Sequence, residues 1–187
     1  VPFKDIPSGR QVDPEGLRWR TMGLQTVEFE VCGRPAPQGS KSYKGHRSGK
    51  PMLAESSPHL AQWRGAVAGA ALLAASQEPD APFDCPVELS VEFRFAMPKV
   101  RRRLGHERIP KLSAPDLDKL VRAVGDALQD GQLLASDARI VRLNNVEKWE
   151  VTGWTGAIIR VTRWVDIPTD NQKHAQQRNQ QGRPKGS

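Results

Sequence analysis

Cysteine is nearly missing: the 187 residues hold only Cys32 and Cys85. The two lie far apart and outside any metal-ligand spacing, which argues against a disulfide framework or a zinc knuckle and predicts two buried thiols. Long apolar runs are missing as well. Nothing approaches the ~18 residues of a membrane helix, and no charged-then-apolar segment opens the chain, so a cytoplasmic protein with no membrane partner is expected. There is no internal repeat. Acidic residues are scarce in two places. Residues 34–57 carry Lys41, Lys44, Arg47 and Lys50 against Glu55 alone, and the stretch after Pro98 carries Lys99, Arg101, Arg102, Arg103, Arg108 and Lys111 against Glu107 alone.

What is present is a basic chain of ordinary apolar content. Lys and Arg number 28 against 21 Asp and Glu, a net charge of +7, with 37% hydrophobic residues. Such an excess suggests a polyanionic partner but describes association, not fold or chemistry. The length suits one domain with ragged ends. Residues 1–23 mix Pro, Gly and charge without periodicity and read as a flexible N-terminal extension, with Met22 as an alternative start. Residues 166–187 are rich in Gln, Asn, Lys and Arg, with no large apolar side chain after Ile167, and read as a disordered basic tail. The domain expected between them covers residues 24–165.

Within it, Val27, Phe29 and Val31 alternate with polar positions as in a half-buried strand. The Pro- and Gly-rich residues 34–57 read as a basic, irregular loop. Leu60, Trp63, Val67 and Ala70/Ala71 recur at helical spacing, predicting a helix over 58–75. Its small-residue face suits an ordinary core or close packing on a second chain. Val87, Leu89, Val91, Phe93 and Phe95 point one way and Glu88, Ser90, Glu92 and Arg94 the other, predicting a strand. The second basic loop follows, then a helix over 116–129 ended by Gly131, and strands over 139–149 and 156–165. This order predicts an α+β fold, a small mixed sheet with helices packed on one face.

The segment Ser113–Asp137 carries the chemistry. Leu117, Leu120, Val121, Val124, Ala127 and Leu128 form one apolar stripe, so the helix buries that side. Asp116 and Asp118 stand where the helix begins, after Pro115, and in extended geometry side chains two apart project alike. Arg122 lies one turn beyond Asp118 and Asp126 one turn beyond Arg122, on the same ridge. Asp137 follows in a loop, and a chain returning beside the helix brings it back toward Asp116 and Asp118. Three gathered carboxylates are unfavourable without a cation, and hard oxygen ligands suit Mg²⁺ or Mn²⁺, which points to metal-assisted phosphodiester hydrolysis. Spacing alone also allows a plainer reading: aspartates at a helix start are ordinary caps and dipole partners, and Ser113-x-x-Asp116 is a variant capping box.

The run PDLDKLVRAVGDAL, with a further Asp twenty-one residues after its first, resembles the signature of the RusA-type Holliday junction resolvases of bacteria and phages. Residues 33–41, GRPAPQGSK, are similar to that family's opening strand and Pro-rich basic turn, and Lys148 matches near the end of a later strand. The resemblance spans roughly residues 26–163. It implies a small homodimeric, Mg²⁺-dependent endonuclease that nicks a four-way DNA junction symmetrically in recombination and repair, with no small-molecule cofactor. Asp116, Asp118 and Asp137 match its metal ligands, and Asp126 belongs to the pattern in a supporting place. Two departures stand out: Lys119 occupies the position usually held by Asn, and Arg122 that usually held by Lys. Arginine keeps its proton, so Arg122 is expected beside the scissile phosphate as a fixed charge, not as a base. The residues expected to contact DNA are Lys41, Lys44, Arg47, Arg101, Arg102, Arg103, Lys119 and Lys148. Tyr43, His46 and Trp149 either stack on exposed bases or belong to the core and its rim. The alternatives are a non-catalytic DNA-binding protein whose aspartates only cap a helix, and a flap or fork nuclease of the same fold.

Overall fold

The structure is a computed structural model that describes residues 11–12, 19–39, 42–47, 50–54 and 57–167. The described residues divide into two compact units, residues 26–162 and those outside them. The outer unit contains strand β1, Gln11–Val12, paired antiparallel with Trp19–Arg20 at the start of β2, Trp19–Cys32. Strand therefore begins within the expected N-terminal extension. Most of that extension, and the expected tail from 168 onward, lie outside the described residues.

In the unit of residues 26–162, β2 buries Val27 and Val31 and exposes Glu28 and Glu30, the alternation that its sequence predicts. Cys32 is exposed and Cys85 only half-buried, so the expectation of two buried thiols is not met; Cys32 falls on the outward phase of β2. The basic stretch 34–57 is not wholly irregular. It contains the antiparallel strands β3, Ser42–Arg47, and β4, Lys50–Ala54, with Tyr43 opposite Leu53 and Arg47 opposite Lys50. The register shifts between Tyr43 and His46, around Gly45, and such a bulge erases the period of two by which a strand is recognised.

Helix α1, Leu60–Ala75, buries Leu60, Trp63, Val67 and Ala71 along one stripe. Strand β5, Val87–Ala96, buries Val87, Leu89, Val91 and Phe93 beneath the helices. The second basic loop holds a short helix α2, Lys99–Arg103, and a short strand β6, Arg108–Pro110, neither of which its charge-rich sequence announces. Helix α3, Leu117–Asp130, buries Leu120, Val124, Ala127 and Leu128, while Leu117 and Val121 pack at the edge of the same core. Gly131 ends it, and there a Cβ would stand 2.4 Å from the Ala68 carbonyl oxygen of α1, so the two helices meet where only glycine fits. A 3₁₀ turn, Asp137–Arg139, leads into β7, Ile140–Val151, and β8, Gly156–Ile167, is the last element among the described residues.

The sheet order in this unit is β2-β8-β5-β7-β6. Strands β5 and β7 run parallel, with Phe93 opposite Lys148, and β6 and β7 antiparallel, so the sheet is mixed. The apolar faces of β5 and β8 share one core with α1 and α3. The opposite face of β5 is polar, with Glu88 paired to Arg142 at 3.1 Å and Glu92 to Arg108 at 3.2 Å. The fold is the expected α+β arrangement with helices on one face. No helix among the described residues is long and apolar enough to cross a membrane.

Candidate active site

The site is assembled where the loop after β6 enters α3. Asp116 is the N-cap residue by position, with extended backbone (φ −69°, ψ 143°), yet its side chain makes no capping hydrogen bond. Its Oδ2 instead accepts from Lys119 Nζ at 2.7 Å. That bond, the Lys119 charge and, less strongly, the Lys148 charge hold the Asp116 carboxyl below the usual carboxylate range. Lys119 is raised by the same bond and charge, with a smaller contribution from Asp118, so its ammonium senses both aspartates of the Asp-x-Asp pair. Asp118, in the first turn, is exposed. The helix-capping account of Asp116 therefore fails in its specific: the carboxylate faces a cation, not the free backbone N–H groups.

The loop that presents Asp116 is fixed by two lysines. Lys148 of β7 donates to the carbonyl oxygens of Ser113 at 3.0 Å and Pro115 at 2.8 Å. Lys111 donates to Ser113 Oγ at 2.8 Å, lies 5.0 Å above the Phe95 ring and stands 3.7 Å from the buried Glu150 carboxylate. Lys148, expected to contact DNA, directs its ammonium to two backbone carbonyls of the Asp116 loop. Arg101, also expected to contact DNA, pairs with Glu150 at 2.6 Å, a carboxylate only 5% exposed. Lys119 is engaged by Asp116. Arg102 and Arg103 are exposed on α2. Lys44 and Arg47 lie on β3, where side chains are not described, and Lys41 lies outside the described residues. Trp149 packs beneath Arg108, 4.0 Å from ring centroid to guanidinium, and donates to Glu147, which is the rim role and not a free stacking platform. Tyr43 and His46 lie on β3, with side chains likewise not described.

The ridge of α3 divides differently from its spacing. Asp126 accepts from Gln38 Nε2 and lies 3.5 Å from Arg64 Nη1, which ties α3 to the Pro-rich loop and to α1. Arg122 is exposed and forms no ion pair among the described residues. Asp137 caps no helix end but opens the 3₁₀ turn, its backbone N–H donating to Gln129 Oε1 at 3.1 Å. A Cβ on Gly125 would stand 3.7 Å from the Asp137 Cβ, which places Asp137 beside Gly125. Gly125 is two helical turns beyond Asp118, about 10 Å along the axis. Asp137 is thus held beside the middle of α3 and not at its start, and the described residues contain no group of three His, Cys, Asp or Glu that could hold a metal ion. Asp116 and Asp118 offer hard oxygens of the kind that Mg²⁺ takes, and for that ion one or two carboxylates completed by substrate phosphate are ordinary.

Opposite Asp116, the Pro-rich residues after β2 close a cleft. Gln38 N donates to the Lys119 carbonyl at 2.9 Å, fastening this loop to the first turn of α3. The cleft has a volume of about 620 Å³ and is bordered by Arg34, His59, Lys111, Lys119 and Asp116, with Pro35, Pro37, Phe95 and Pro115 among its apolar walls. Arg34, Gln38, His59 and Lys111 were not among the residues expected at the site. Arg34 and Gln38 sit within the GRPAPQGSK run, which was the available signal; His59 precedes α1 and had none.

A small α+β domain thus presents two exposed helix-start carboxylates, Asp116 paired with Lys119 and Asp118 beside it in sequence, next to a cation-lined cleft. A family model described as endodeoxyribonuclease RusA matches residues 33–162, well over half of the chain. The chain belongs to the RusA family of endodeoxyribonucleases, and the activity that this membership implies is that of a nuclease resolving Holliday junctions. No curated protein matches the chain.

Proposed function

We propose that this protein is a Mg²⁺-dependent, homodimeric endonuclease that resolves four-way DNA junctions by paired symmetric nicks, in recombination and repair. The observation that carries this reading is the N-cap carboxylate of α3, which declines its capping bond, stays ionised against Lys119 and opens onto a cation-lined cleft. Asp116 and Asp118 are the residues that would hold the metal; Mn²⁺ has the same preference for such oxygens. The bound ion would supply Lewis-acid stabilisation of charge on the scissile phosphate. The chain's own residues do the remainder. Lys148 and Lys111 fix the loop so that Asp116 is held in place before substrate arrives. Arg122, exposed and unpaired among the described residues, supplies a permanent positive charge one turn from Asp118 for a phosphate oxygen. Arg102 and Arg103 add sequence-independent phosphate contacts. Asp137, fixed beside Gly125, is assigned no ligand role on this geometry.

A dimer follows from the substrate: resolving a two-fold junction needs two related cuts, hence two related sites. The test is incubation of the full chain with end-labelled four-way junction, replication fork and linear duplex, with Mg²⁺ or with EDTA. Paired nicks in the junction only with Mg²⁺ support the reading. Preferred cutting of the fork would move the protein to the flap or fork nucleases, and binding without cutting under any metal would make it a non-catalytic DNA-binding protein.

A further inference from the structure

The cleft beside Asp116 holds more than a metal site needs. Its volume, about 620 Å³, lies in the range of pockets that enclose a small organic ligand. Its charges are unequal in their engagement. Lys119 is matched by Asp116 and Lys111 by Glu150. Arg34, exposed at the cleft, has no carboxylate partner among the described residues and donates to His59 Nε2 at 3.3 Å. An unneutralised guanidinium with a second nitrogen base beside it is a place for a phosphate. Pro37, Pro115 and half-buried Phe95 give the cleft apolar lining, together with Pro35, which is itself buried. A groove that only tracked the sugar–phosphate backbone would need no such walls. The flat face of a base does, since it gains by contact with apolar and aromatic surface when it leaves the stack.

We propose that this cleft receives one unstacked nucleotide of the branch point, its phosphate held by Arg34 beside His59 and its base lying against the Pro35, Pro37, Pro115 and Phe95 walls, next to the phosphate cut at Asp116. The inference rests on the endonuclease reading and adds a reason for structure selectivity. A nucleotide in continuous duplex must be unpaired and unstacked to enter, whereas one at a branch point has already lost part of its stacking. Arg34 and the cleft walls are therefore specificity-determining, while the general affinity for DNA comes from the basic surface elsewhere.

The experiment uses four-way junctions carrying 2-aminopurine singly at each branch-point position, titrated with the full chain in EDTA so that no strand is cut. Binding is followed by gel shift on the same samples, and cleavage is measured separately with Mg²⁺. The proposal expects a fluorescence rise at one branch-point position and none in the matching linear duplex. Arg34→Ala should lose that rise, as should Ala114→Trp, which fills the cleft from an exposed position, while both still shift the junction. Their preference for junction over duplex in cleavage should fall by about tenfold or more, the worth of one base–wall contact. Two variants on different segments separate loss of the cleft from disturbance of the Asp116 loop, and retained binding shows that the protein is folded. If the parent binds and cuts junctions without a fluorescence rise at any position, or if both variants keep the rise, the cleft does not hold a nucleotide and the proposal is overturned while the endonuclease reading stands. If the parent neither binds nor cuts junctions, both fall together.

Discussion

Replacing Lys148 by methionine separates holding the site from binding DNA. Methionine keeps the apolar stem of the lysine and removes the ammonium that donates to the Ser113 and Pro115 carbonyls at 3.0 and 2.8 Å. Hydrogen bonds from a charged donor are worth about 1.5–3 kcal/mol each. The Ser113 bond is exposed to water, which can replace it, so the net loss is taken as about 2 kcal/mol in all. For a domain of this size that corresponds to a fall of about 4–8 °C in Tm. The larger effect is on catalysis. With the loop free, Asp116 is no longer presented at a fixed position, and a misplacement of about 1 Å is enough to cost on the order of a hundredfold in rate. The assay is a thermal scan beside single-turnover junction cleavage and a gel shift. The expected pattern is a modest fall in Tm, junction affinity within about twofold of the parent because one phosphate contact at most is involved, and a large fall in the cleavage rate. A variant that cleaves at the parent rate would refute the claim that Lys148 positions Asp116. One that loses binding in step with cleavage would return Lys148 to the DNA surface.

Lys119→Asn removes the cation from Asp116, so the Asp116 carboxyl should return upward toward its ordinary value, as read by NMR titration. The sign is set by the depressed value in the folded state: the pair's stabilisation is present above the unfolded pKa and is lost as pH falls through the folded one, and the variant should lack that acid-side loss. The raised Lys119 value adds a contribution lost only as pH rises past about 10.5. Asp137→Asn should leave the rise in Tm on adding Mg²⁺ unchanged, because Asp137 stands beside Gly125, whereas Asp118→Asn should shrink that rise, which reflects a stabilisation of about 2.7 kcal/mol at a hundred times Kd; a reduced response in Asp137→Asn would restore it to the metal site. Arg122→Ala should lose most cleavage with junction binding retained and Arg122→Lys should keep a substantial part, since a point charge without the planar fork still meets a phosphate; undiminished cleavage by Arg122→Ala would make it a surface residue.

The elements that position the site are legible because their apolar periods are unbroken. The stripe from Leu117 to Leu128, the alternation from Val87 to Phe95 and the spacing from Leu60 to Ala71 each survive into the fold. The hairpin Ser42–Ala54 is not legible, since the shift of register around Gly45 breaks the alternation by which a strand is recognised. The Asp-x-Asp at the start of α3 is plain in the sequence, but which partner each charge takes is not. Arg101 and Lys148 read as phosphate contacts, and that one meets Glu150 and the other the loop carbonyls is set by β7, whose placement the sequence does not show. Asp126 lies one turn from Arg122 in sequence, yet its partners, Gln38 and Arg64, come from far along the chain. Helical spacing shows which side chains share a ridge; long-range packing decides which of them meet.

The account stands most directly on Asp116 as a functional carboxylate in place of a helix cap. Asp116→Asn, assayed for cleavage of a labelled four-way junction with saturating Mg²⁺, beside a gel shift and a thermal scan both in EDTA, tests it in one sample series. The account predicts that cleavage is abolished while junction binding and Tm stay near the parent's, because the charge removed holds metal and makes no capping bond. Cleavage at the parent rate, or a loss of cleavage that merely follows a fall in Tm of the size a lost helix cap brings, about 1 kcal/mol, would contradict it.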